Sequence, residues 1–314
     1  MTTVDEVAER AFSQPPELGL TLAMVVAHRG EIVAERYGPG TDATTTLISW
    51  SMAKSITHAL IGLLVRDGRL DMAAPAPVPR WGHDGDARGA ITLDQLLQMR
   101  SGLAFVEDYV EGHPSDVIDM LFGSGRDDVA AYAEACELEH VPGTVFNYSS
   151  GTTNIVSAIA GRTIGGGAEG VSEYLDRELL APLGMTSATV GCDAAGTFVG
   201  SSYVYATARD FVRFGELYRN DGVVDGRRLL PVGWVDHGRK MTAPPAPPDE
   251  PFGYGAHWWV WDDAHGTYGA HGYEGQYTLI VPDLDLVVVR LGKSPVELRP
   301  AVVSDLARII TSFA

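Results

Sequence analysis

The spacing of apolar positions changes twice along the chain, and the changes divide it into parts. Residues 20–27 and 31–37 are short apolar-rich runs separated by His28-Arg29-Gly30, a pattern that predicts a β-hairpin. At the far end, 255–261, 276–281 and 286–291 read as strands, the last two joined by a turn at Pro282-Asp283. Between the ends the period lengthens. Met52, Ile56, Ala59, Leu60, Leu63 and Leu64 recur at helical spacing until Gly68 stops the run. Thr92 with Gln95 forms a capping box for a short helix ending at Ser101-Gly102, and Thr207 caps another whose stripe is Phe211, Phe214, Leu217 and Tyr218. Helical pieces are also predicted over 128–136, 152–164 and 171–181, with almost no strand signal between Gly102 and about residue 190. A polar helix over 3–13, broken by Pro15-Pro16, opens the chain, and a helix over 301–313 closes it. Pro75, Pro77 and Pro79 mark an irregular crossing, and 242–251 reads as a surface loop. The pattern predicts an α+β fold, with one antiparallel sheet built from both chain ends, flanked by helices, and an inserted all-helical lobe. On this reading 1–75 and 200–314 form the sheet lobe and 76–199 the helical lobe, with the active site in the crevice between.

Composition narrows the function more than the fold. The 314 residues suffice for one large domain or two lobes with ample core. A net charge of −18 leaves no basic stripe for phosphate, so nucleic acid and anionic membrane surfaces are not expected as partners. The two cysteines, Cys136 and Cys192, lie far apart and indicate neither a disulfide framework nor a zinc site. No signal-peptide pattern opens the chain and no run reaches membrane-spanning length, so a cytoplasmic protein is expected. Nothing in the sequence fixes the oligomeric state, and a homo-oligomer stays open.

The chemistry concentrates at Ser51-Met52-Ala53-Lys54. Three residues apart at the start of a helix, Ser51 and Lys54 project from one face, with unpaired backbone N–H groups and the positive dipole end beside the hydroxyl. A partly desolvated amine next to a hydroxyl can lose its proton near neutral pH and act as its base. The same residues also fit a capping serine followed by a solvated lysine. Tyr148 precedes the 152–164 helix, where a phenol near a cation can relay protons, and Ser150 can hydrogen-bond the lysine or a substrate. Taken alone, both fit a buried loop tyrosine with capping serines better. Around His271, the glycines of 269–275 allow close approach to a strand edge, and a backbone N–H there could join that of Ser51 in an oxyanion hole. His271 itself reads as a wall residue or a packed loop histidine. G-x-S-x-G and H-E-x-x-H are absent, and Gly165 to Gly170 fits a flexible turn better than a phosphate loop.

These segments, in this order, resemble the serine β-lactamase-like family of class C β-lactamases, penicillin-binding carboxypeptidases and family VIII carboxylesterases. The resemblance extends to Ile91-Thr92-Leu93-Asp94-Gln95-Leu96-Leu97-Gln98-Met99-Arg100-Ser101-Gly102-Leu103, Pro182-Leu183-Gly184-Met185 and Ala206-Thr207-Ala208-Arg209-Asp210. In detail it is similar to the carboxylesterases and the 6-aminohexanoate-dimer hydrolase group. The resemblance implies the β-lactamase/transpeptidase-like fold and a serine hydrolase needing no metal or cofactor, acting on small esters or amides through an acyl-serine. Ser51 would be the nucleophile, Lys54 its base and Tyr148 the proton relay. The oxyanion hole would use the N–H groups of Ser51 and Tyr273, and Tyr109, Ser150, His271 and Gly272 would contact substrate. Ser150 stands where the family's Y-x-N motif has Asn, and Ala270-His271-Gly272 replaces Lys-Thr-Gly. Loss of that lysine implies weak recognition of a β-lactam carboxylate. Acyl transfer from the same intermediate, β-lactamase or D-aminopeptidase-type activity, and a non-catalytic binding role are the alternatives.

Overall fold

The computed structural model describes residues 4–13, 17–110, 112–246 and 251–314. The predicted break at Pro15-Pro16, the first residue of the 3–13 helix and positions 247–250 of the 242–251 loop lie outside the described residues. Among the described residues a seven-stranded sheet has the order Glu31–Tyr37, Leu20–His28, Leu286–Lys293, Gln276–Val281, Tyr268–Gly272, Trp259–Val260 and Gly253–Tyr254. All neighbours are antiparallel, and the two chain ends meet where Val25 pairs with Val289.

Both faces of this sheet are covered, which explains why its central strands read as nearly unbroken apolar runs rather than alternating ones. Met24, Val26, Leu279, Leu286 and Val288 face the two terminal helices, Val4–Phe12 and Arg299–Thr311, with Val302, Leu306 and Ile309 in the seam. Ala23, Val25, Val287 and Val289 face the opposite way, onto Ala53–Arg66 and Ala208–Arg219. The predicted stripe Phe211, Phe214, Leu217 and Tyr218 is buried there. Thr92 and Thr207 cap their helices as read, Thr92 in a full capping box with Gln95.

Three expectations change. The aromatic-rich run 255–261 is not one strand. His257 has φ +58°, and the chain turns between two short strands so that Trp258 enters the core while Trp259, half-buried, lines the cavity over Ser51. Residues 268–272, expected as a loop, form a strand, because pairing with Gln276–Val281 on one side and Trp259–Val260 on the other overrides the low strand propensity of Gly-Ala-His-Gly. The 171–181 helix begins earlier, at Gly167, and passes through a wide turn, Asp176–Leu180, before Ala181–Leu183. Asp116–Phe122 is a further helix with no counterpart in the sequence reading.

Arg290 locks the strand ends beside the crevice. Only 2% exposed, it donates to the carbonyl oxygens of Gly275 and Leu18 and to the hydroxyls of Thr21 and Ser294. Burial lowers its pKa to about 10, so it stays charged at neutral pH. Arg290→Met leaves those buried acceptors without a donor, at about 1–3 kcal/mol for each one left unsatisfied, and is expected to lower the urea midpoint at unchanged slope.

Candidate active site

Ser51 lies in a tight 3-10 turn, Trp50–Met52, that leads directly into the helix Ala53–Arg66. Trp50 has φ +44°, a conformation a bulky residue adopts only under constraint. Its indole N–H donates to Glu274 at 3.3 Å and its ring meets Tyr273 edge-on. The turn is therefore braced by the segment that follows the 268–272 strand. Gly272 permits this approach, since a Cβ there would sit 2.3 Å from the Ser49 carbonyl oxygen. Neither part of the capping interpretation fits: Ser51 makes no cap, and Lys54 is 2% exposed.

The Lys54 amine is the hub. Nζ lies 3.0 Å from Ser51 Oγ, 2.9 Å from Ser150 Oγ and 3.2 Å from the Ser201 carbonyl oxygen. Burial lowers its pKa from 10.5 to about 8, with Glu107 pulling the other way. Nζ also sits 4.8 Å from the centre of the Tyr148 ring, so the loop tyrosine packs against the Lys54 amine. Tyr148 is held by Tyr254 and Trp259, at 5.7 and 5.2 Å between ring centres. Local sequence places Ser150: Ser149 caps the helix Ser150–Ile164, which leaves Ser150 as its first residue, its hydroxyl oxygen within hydrogen-bond reach of the lysine.

A cavity of about 540 Å³ opens over Ser51, lined among others by Glu107, Tyr109, Tyr148, Trp259 and Tyr273. Tyr109 and Tyr273 stack across its mouth, 4.8 Å between centres. His271 forms part of its wall. The Trp261 indole donates to His271 Nε2 at 3.0 Å, Nδ1 is buried without a partner, and burial holds the imidazole far below its ordinary pKa. The wall therefore presents a neutral ring where the family's lysine would present a charge.

The comparisons with known proteins can be set against this geometry. The family model described as Beta-lactamase matches residues 9–310. The chain belongs to the beta-lactamase family. Among beta-lactamase-family relatives, the 6-aminohexanoate-dimer hydrolase of Paenarthrobacter ureafaciens is 28% identical over 312 residues, covering 93% of this chain and 78% of that protein. A family VIII carboxylesterase superposes with a TM-score of 0.70 at 15% identity, covering 98% of this chain and 96% of that one. The octameric penicillin-binding protein homologue from Pyrococcus abyssi gives 0.73 at 18% identity, covering 98% and 77%. The relatives named for an activity are hydrolases, and the shared architecture is the β-lactamase/transpeptidase-like α+β fold. No described helix is long and apolar enough to cross a membrane.

Of the residues expected at a beta-lactamase-family site, Ser51, Lys54, Tyr148 and Ser150 converge, while Tyr109, His271, Gly272 and Tyr273 surround them. Two contributors had not been singled out. Glu107 accepts from Ser150 and Tyr109, and Arg299 lines the far end of the cavity over the Phe252 and Trp259 rings. Only Glu107 had a sequence signal, as the acidic neighbour of Tyr109 in Glu107-Asp108-Tyr109.

Proposed function

We propose that the protein is a serine hydrolase that cleaves small carboxylic esters or amides through an acyl-Ser51 intermediate in the crevice between the sheet and helical lobes. The observation that carries this reading is the buried amine of Lys54, near neutrality and 3.0 Å from the Ser51 hydroxyl. Ser51 Oγ bonds to the substrate carbonyl carbon as its proton passes to Lys54. The carbonyl oxygen, now negative, sits against the N–H groups of Ser51 and Tyr273. The C–O or C–N bond breaks as the leaving group takes a proton relayed through Tyr148. Water then attacks the acyl carbon, gives its proton back through the same groups, and releases the acid and free Ser51.

The cavity volume suits a small substrate. The name of the Paenarthrobacter relative supports amides as well as esters. The neutral His271 wall favours substrates without a β-lactam carboxylate at that position. Short-chain p-nitrophenyl esters, a linear amide oligomer and nitrocefin, assayed side by side, test this. Ester or amide turnover well above nitrocefin is expected. Turnover of none of the three, or of nitrocefin fastest, contradicts it.

The pH dependence follows from Lys54. The base must be neutral, so kcat/KM for a p-nitrophenyl ester is expected to rise tenfold per pH step below about 8 and level off above it. A profile flat from pH 6 to 9 would show that this amine does not act as the base.

A further inference from the structure

Resting on the reading of Lys54 as base, we propose that Glu107 is a positioning residue that fixes the direction of the hydrogen bonds around the Lys54 amine and so turns its lone pair towards Ser51. An ionised carboxylate only accepts hydrogen bonds. Glu107 takes two from one residue, Ser150: Oε1 accepts from Oγ at 2.6 Å and Oε2 from the backbone N–H at 2.7 Å. Tyr109 Oη adds a third at 2.8 Å, also to Oε1. A serine hydroxyl has one proton. With that proton committed to Glu107, Ser150 Oγ can face Lys54 only as an acceptor. The Ser201 carbonyl oxygen, on another side of the amine, is an acceptor by nature.

Two acceptors therefore claim two N–H groups of Lys54. A neutral amine has two N–H groups and one lone pair, and the third hydrogen-bond partner among the described residues, 3.0 Å away, is Ser51 Oγ. The lone pair is left for the Ser51 proton. After transfer, the ammonium's third N–H points at the same oxygen. Without the carboxylate, the Ser150 hydroxyl is released to donate to the amine. Lys54 would then spend its lone pair on Ser150 and turn an N–H to Ser51, a donor where a base is needed.

Glu107 also acts through its charge, which favours the ammonium form of Lys54. The other titratable groups facing the amine are Tyr148, from its loop, and His257, buried and neutral with its pKa lowered to about 3. Tyr109 reaches the amine only through Glu107. Charge and direction predict different outcomes. If Glu107 acted by charge alone, removing it would lower the Lys54 pKa, neutralise more of the amine at pH 7 and leave the plateau rate intact.

Glu107→Gln separates them at nearly constant shape. A glutamine offers one carbonyl oxygen to two Ser150 donors and sets an NH2 against the other, so the hydroxyl direction is no longer fixed. The pH profile of kcat and KM for a p-nitrophenyl ester is measured for wild type, Glu107→Gln, Ser150→Ala and the double variant, with thermal melting to show that each is folded. Expected are a plateau kcat lower on the order of 10²-fold in Glu107→Gln, little change in KM and an acidic limb displaced to lower pH. Ser150→Ala should lose a similar factor, and the double variant no more than the worse single one, because both break one relay. A wild-type plateau in Glu107→Gln, or multiplying losses in the double variant, overturns the proposal. If Ser51→Ala turns over as fast as wild type, the hydrolase reading itself has failed, which is a separate outcome.

Discussion

Ser51→Ala is expected to reduce kcat for p-nitrophenyl ester hydrolysis by on the order of 10⁴–10⁶, the loss seen when a nucleophile is removed from a catalytic unit. Fold and stability should be almost untouched, because Ser51 makes no helix cap and, among the described residues, its side-chain hydrogen bond is the one from Lys54. KM should move little. The geometry predicts the size of the loss: among the described residues no other serine both touches the Lys54 amine and lines the cavity, since the neighbouring Ser150 is committed to Glu107. A residual rate within tenfold of wild type would show that turnover does not run through Ser51.

Lys54→Met should separate activity from stability. Activity is expected to fall by about 10³–10⁴, since the Ser51 proton loses its acceptor. Stability at pH 7 is expected to rise. Folded Lys54 binds its proton less tightly than the unfolded chain does, with a pKa of about 8 against 10.5. The unfolded state therefore holds more protons between those values, and this residue makes stability increase with pH across that window. Below about pH 8 both states are protonated, and the folded state bears the full cost of a buried ammonium, roughly 3 kcal/mol at about 1.4 kcal/mol per pH step. Methionine removes that cost but leaves Ser150 and the Ser201 carbonyl without a donor. A net gain of about 1–2 kcal/mol remains, visible as a higher urea midpoint at pH 7 that is lost by pH 10, where the folded amine is neutral and only the missing hydrogen bonds count. A destabilised Lys54→Met at pH 7 would mean that the amine is held more favourably than its burial implies.

The parts of this molecule that could be read from the sequence are those with a local cause. The Ser51 helix announces itself by a repeating apolar stripe, and Thr92 and Thr207 by caps within three residues of their partners. Ser51 and Lys54 share a helix face by spacing alone. The rest depends on residues far apart in the chain. The 268–272 strand exists because it has a strand on each side, which Gly-Ala-His-Gly does not advertise. The 255–261 run has strand composition, but the turn at His257 that divides it shows no periodic sign. Glu107 reaches the site from 43 residues before Ser150, by a contact no window of sequence contains. Tyr148 could be placed only by resemblance, since its approach to Lys54 is set by packing against Tyr254 and Trp259.

The central claim is that Ser51 carries the acyl group, and covalent trapping tests it most directly. The protein is treated with a fluorophosphonate at pH 8, digested, and the adduct located by mass spectrometry, with Lys54→Met treated in parallel. The account predicts a single stoichiometric adduct on Ser51 and greatly slowed labelling in the variant. An adduct elsewhere, or none while ester turnover continues, would contradict it.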